Sequence, residues 1–179
     1  MSKRKEGGNT TKKLTVCAML AALGVILLYL GSFIEVLDIS MAVLASFVCI
    51  IAVIEYGGSA PWMIYAVISL LGAILLPNKT PVAFFTLFFG FYPILKEKIE
   101  KKARAVAWLL KGIVFNLSLA VIVLLAIFAL NMTQNSLLTN PFIIIGGLLL
   151  CELVFVLYDI ALTRLISFYI INLRKRLKL

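Results

Sequence analysis

From residue 14 to residue 33 the chain carries no charge for 20 positions, and this run constrains the fold more than any other feature. At about 1.5 Å of rise per residue, a helix of that length crosses a hydrocarbon core of roughly 30 Å. Lys3, Arg4, Lys5, Lys12 and Lys13 precede it. Within it Ala18 and Ala22 stand four apart on one side, with Thr15 ahead of them, while Leu20, Leu23, Leu27 and Leu30 supply bulk elsewhere. Small residues at i and i+4 let another helix approach to backbone packing distance in lipid. Any alanine-rich helix contains such a pair by chance. Its position at the basic end, within reach of a peripheral partner, favours a contact surface.

Five further apolar runs follow, at residues 39–54, 62–76, 82–95, 105–130 and 142–171. The chain is 63% hydrophobic and 14% charged, where a soluble domain carries about a quarter of charged residues. The expected fold is therefore all-α, an integral membrane bundle of six transmembrane helices. Residues 1–13 form a polar cytoplasmic tail, 14–172 the transmembrane domain and 173–179 a basic cytoplasmic tail. The second run is short for a span and would stand upright or lean on its neighbours. A four-span arrangement without the second and fourth runs has the same parity but leaves the third without a consistent side. Tyr56-Gly-Gly-Ser-Ala-Pro61 reads as a tight reversal, with Ser59 and Pro61 starting the next helix. In Pro77-Asn-Lys-Thr-Pro81, Thr80 is the expected N-cap and Pro81 the first helical residue.

Charge orients the bundle. Fourteen basic residues fall in the two tails and the segment 96–104, against Lys79 alone in the turns on the other side. Positive charge concentrates in cytoplasmic segments, so both termini are expected in the cytoplasm of a multi-pass cell-membrane protein. The net charge of +9 lies between apolar spans and on no foldable soluble domain, which argues for membrane lipids and against nucleic acid as its partner.

The absence of histidine removes histidine triads, histidine bases and most catalytic zinc sites. Cys17, Cys49 and Cys151 all lie in apolar runs without paired spacing and read as small buried side chains, not as a disulfide or metal set. Intramembrane hydrolases need histidine, a Ser–Lys set or a paired glutamate, and no suitable constellation is present. No enzyme activity, cofactor or metal is expected.

Polar residues gather in the outer turns: Glu35 and Asp38 in the first, Asn78 and Lys79 in the second, Asn131, Thr133, Gln134 and Asn135 in the third. Turns between spans are polar because they meet water. Turns of opposite sign converging over a bundle also close a cavity for a small polar ligand. Glu35 and Asp38 suit a cationic or amino group, and Lys79 suits a carboxylate or ring carbonyl. Glu152 and Asp159, seven apart, share one face of the last helix. Glu152 is the expected ligand contact at membrane depth, and Asp159 the expected ion-pair partner of Lys111, with Arg164 reaching to the interface. Phe84, Phe88 and Tyr92 make an aromatic stripe, read as bundle core or as a stacking wall for a ring-bearing ligand. Trp62 and Tyr65 look like interfacial belt residues.

A basic N-terminus, Ala18-x-x-x-Ala22 near the cytoplasmic boundary, six runs in under 200 residues and the Gly-Gly-Ser-Ala-Pro turn together resemble the substrate-binding S component of energy-coupling factor (ECF) vitamin transporters. The resemblance implies that a vitamin-like small molecule is captured from the exterior. Uptake would be driven by partner subunits, a transmembrane T component and two ATPases, with Ala18 and Ala22 as docking residues. This chain has no Gly-rich phosphate loop of its own. The Leu37-Asp-Ile-Ser40 turn resembles flavin-binding members, but its surroundings depart from them, so riboflavin is not assigned. A competing class is a non-transporting scaffold similar to the small six-span cell-shape proteins.

Overall fold

A computed structural model describes residues 3–130 and 141–173 of the chain. Its helices are α1 (Lys3–Gly31), α2 (Asp38–Glu55), α3 (Ala60–Leu75), α4 (Thr80–Phe84), α5 (Tyr92–Ile99), α6 (Arg104–Leu130) and α7 (Pro141–Phe168). No strand occurs among the described residues. A 3₁₀ turn, Glu35–Leu37, leads into α2, and π-helical turns occupy Phe85–Phe89 and Tyr169–Leu173. Helix α1 starts at Lys3 and runs without a break through the basic segment into the apolar run.

Among the described residues, four helical stretches are long and apolar enough to cross a membrane: Thr11–Gly31, Asp38–Glu55, Arg104–Leu125 and Ile145–Ile171. The second run thus makes a full span-length helix of 18 residues because Asp38 and Glu55 are drawn into its ends. The shorter elements are the third run, a helix of 16 residues, and the fourth, which is broken. Pro93 explains the break. It has no N–H to offer the carbonyl four residues back and its ring would clash there, so an α-helix cannot pass through it from Phe89. The chain widens instead into the π-helical turn, where Gly90 N–H donates to Phe85 O at 2.7 Å. Tyr65 Oη of α3 donates to Thr86 O at 2.9 Å, satisfying a carbonyl at a place where water is scarce. Tyr65, half-buried, thus packs and hydrogen-bonds against the π-helical turn.

The chain divides into two units, Met1–Ile122 and Val123–Leu179. In the first, α2 is the centre, touching α1, α3, α4, the π-helical turn and α5. Ala42, Ala45, Cys49 and Ala52 of α2 are wholly buried, and their small side chains let the neighbours close in. Close approach elsewhere relies on missing side chains. A Cβ on Gly24 of α1 would run into Ile68 of α3, and one on Gly72 would lie 2.9 Å from Val82 Cγ2. The reversal between α2 and α3 uses left-handed backbone at Gly57 (φ +54°) and Gly58 (φ +57°), which a residue with a Cβ adopts at a cost. Pro61 then sits in the first turn of α3, where a missing N–H is harmless.

In the second unit α7 buries Phe155, Tyr158, Asp159 and Leu162 along one face, with Tyr169 of the following π-helical turn buried as well, while Leu149, Leu150, Leu153 and Leu157 are exposed. Spacings of three and four make this a helical stripe, with one acid set among apolar side chains.

Candidate functional site

Antiparallel packing gives the first unit two chemically different ends. At one end the tip of α1, the start of α2 and the start of α4 meet around Gly31, whose absent Cβ would lie 2.9 Å from Met41 Cβ and 3.7 Å from Pro81 Cβ. Asp38 is the first residue of α2 and is buried, at 6% exposure. The positive end of the helix dipole favours an anion there. Asn78 Nδ2, from the turn after α3, donates to Asp38 Oδ2 at 3.1 Å. The same amide accepts through Oδ1 from Thr80 N–H at 3.0 Å and from Thr80 Oγ1 at 2.8 Å. Asn78, one residue before the N-cap Lys79, thus satisfies the first free N–H of α4. Thr80, the expected N-cap, is instead the first helical residue, with Pro81 beside it in the first turn.

Two of the residues anticipated for ligand contact, Asp38 and Asn78, are therefore joined directly across 40 positions of sequence. Lys79 turns back on its own helix, where its Nζ donates to Ala73 O at 2.8 Å and Leu76 O at 2.5 Å, carbonyls at the end of α3. A cation suits the negative pole of that helix. Glu35 lies in the 3₁₀ turn, and its side chain is outside the described ones, as are Asn131 and Gln134. Glu152 is half-buried on α7 in the second unit, one turn before Phe155.

The opposite end of the unit is basic and aromatic. Lys13 Nζ lies 5.5 Å from the Tyr56 ring centre, Lys98 Nζ 5.9 Å from Trp62, and Lys111 Nζ 5.4 Å from Trp108. These are cation–π distances. Lys96 and Lys111, exposed only to 1% and 5%, both reach Glu100 Oε1, at 3.2 Å and 2.8 Å. The segment from Lys96 reads from composition as a solvated basic loop, yet Lys96 to Ile99 complete α5 and Lys96 is among the most buried side chains. The spacing Tyr92, Lys96, Glu100 carries that signal, a row at intervals of four down one face of α5. Within the first unit Lys111 donates to Glu100 Oε1.

The aromatic stripe packs on itself. Phe88 meets Tyr92 at 4.9 Å, Phe89 at 5.2 Å and Phe115 at 5.5 Å between ring centres. The π-helical turn adds a residue to the register, so Phe85 and not Phe84 is the wholly buried ring. These rings are core. Ala18 and Ala22 are exposed on α1, whereas Ala21 and Gly24 are buried.

Comparison of the chain with protein-family models, with curated proteins and with solved structures finds no match. What the fold defines is an α-helical protein with four helices among the described residues long and apolar enough to cross a membrane.

Proposed function

We propose that this protein is the substrate-specific membrane subunit of an ECF-type transporter, binding a vitamin or similar micronutrient at its outer end for uptake driven by a T component and two ATPases. The observation that carries the reading is the Asp38–Asn78 pair: a buried carboxylate at a helix N-terminus, oriented by an amide that Thr80 in turn holds in place. A carboxylate held in this way can also accept hydrogen bonds from a ligand N–H or amino group. The exposure of Ala18 and Ala22 supports a docking surface on α1, distinct from the small residues that pack inside.

The reading includes a topology of six crossings with both termini in the cytoplasm, the basic end inward and the Asp38 end outward. The distribution of lysine and arginine supports it. A reporter fused after Leu179 reports the cytoplasm and one inserted at Asn135 reports the exterior. An external C-terminus overturns the arrangement.

Ligand capture is tested on the purified full chain by native mass spectrometry against vitamins, their precursors and amino acids. One small molecule is expected to bind without ATP turnover. Asp38→Asn keeps the shape and removes the charge, lowering affinity by about tenfold or more, the scale of a charge-assisted hydrogen bond. An empty panel, or binding indifferent to Asp38, favours the scaffold class.

A further inference from the structure

The turn between α5 and α6 has chemistry that the transport reading does not use. It runs from Glu100 through Ala103, and Lys98, Lys101, Lys102 and Arg104 fall in seven positions in and beside it. Lys101 pairs with Glu97 at 2.8 Å. Lys102 and Arg104 are exposed and make no ion pair among the described residues. Arg104 opens a helix of 27 residues with no acid in its first turn. Cations at that pole are disfavoured by the helix dipole, so this placement lowers the stability of the isolated chain. The two tryptophans bracket the turn: Trp62 lies under Lys98 on one side, and Trp108 is on the first turns of α6 on the other. Indole rings settle at the boundary between hydrocarbon and headgroups, which puts the cations of the turn at phosphate level. Exposed apolar residues continue from there along α3 and α6, among them Met63, Leu70, Leu109 and Ile113.

From this combination we infer that the α5–α6 turn is a binding site for an acidic phospholipid, with the headgroup phosphate held by Lys101, Lys102 and Arg104 and the acyl chains lying along the apolar faces beside Trp62 and Trp108. The bound anion supplies the negative charge that the first turn of α6 lacks. The site is independent of the substrate reading and of what binds at Asp38.

The chain contains two tryptophans, Trp62 and Trp108, so its intrinsic tryptophan fluorescence reports on this place alone. Full-length protein is reconstituted into phosphatidylcholine bilayers in which a rising fraction of lipid is phosphatidylglycerol brominated near the glycerol. A parallel series uses brominated phosphatidylcholine. Phosphatidylglycerol is expected to quench at about five- to twenty-fivefold lower mole fraction, since each basic residue near the surface contributes about a fivefold preference and Lys101 is already paired with Glu97, leaving Lys102 and Arg104. Replacing Lys101, Lys102 and Arg104 together by glutamine, all exposed positions, brings the preference below about twofold. Lys12→Gln with Lys13→Gln serves as control and leaves it in place. Equal quenching by the two lipids overturns the proposal and leaves the turn to an acidic protein partner. A preference lowered as much by the control as by the turn variant also overturns it, because the attraction is then diffuse charge and not a site.

Discussion

Replacing Gly90 by valine is expected to cost about 3–4 kcal/mol and to lower the melting temperature in detergent by about 8–15 °C. A Cβ at this position would lie 2.7 Å from Phe85 Cε1, 2.8 Å from Phe85 Cζ and 2.7 Å from Tyr65 Cδ2. Neither ring can yield easily. Phe85 is wholly buried, and the two rings already pack with centres 6.0 Å apart. Overpacking of this kind costs about 1–3 kcal/mol for the first added carbons. Moving Tyr65 also breaks its bond to Thr86 O, and a buried carbonyl left without its donor adds about 1–3 kcal/mol. Alanine should show the same effect in reduced form. Gly112 of α6 is the matched comparison, because a Cβ there meets nothing within 4 Å. Gly112→Ala should be neutral or stabilising by up to about 1 kcal/mol through helix propensity. Thermal unfolding of the two variants side by side checks this, and equal melting temperatures would mean that the π-helical turn does not pack as described.

The contrast between these two glycines shows what the amino-acid sequence makes legible. Composition and run length are enough for a helical protein with membrane-length segments, because hydrophobic length is a property of the chain alone. The turns are readable too: Gly57, Gly58, Pro61 and Pro81 act through their own backbone constraints. Which helix stands at the centre is not. The first run looks like the organiser from its small face and missing charge, yet α2 takes that place, with Ala42, Ala45 and Ala52 buried by neighbours far away in sequence. The break in the fourth run is written in Pro93 but masked by continuous hydrophobicity on both sides. Burial of Lys96 is hidden for a similar reason. It stands next to a run of surface charges, and only the interval of four from Tyr92 separates it from them.

At the candidate site, residue types are visible in the sequence and the structure supplies the pairing. Asp38 and Asn78 both stand out as polar turn residues. Their hydrogen bond depends on α1 and α3 bringing two turns together, which no local pattern encodes. Lys79 shows the converse case. Its charge suggests ligand binding, but its nearest use is local, three and six residues back on the carbonyls of α3.

If the proposed transport function holds, leucine at both Ala18 and Ala22 is expected to cut uptake more than about tenfold while leaving the isolated protein stable and able to bind its ligand. Both positions are exposed, so added side chains extend outward without entering the core. Substitutions of that kind shift stability by less than about 0.5 kcal/mol. They would nonetheless hold a partner helix away from α1 and remove the close van der Waals packing on which association in lipid depends. Transport in cells carrying a T component and its ATPases should fall by more than about tenfold, the equivalent of about 1.4 kcal/mol of lost association. Ala21→Leu separates this from ordinary packing. Ala21 is only 5% exposed, so its enlargement should destabilise the first unit by about 1–3 kcal/mol and impair binding and uptake together. Three readouts on each variant, melting temperature, ligand affinity and cellular uptake, distinguish the cases. If the Ala18–Ala22 variant loses stability and binding as Ala21→Leu does, its face is packed inside the bundle. If it transports normally, α1 does not dock through these residues, and the proposed kinship with ECF substrate-binding subunits loses its residue-level support.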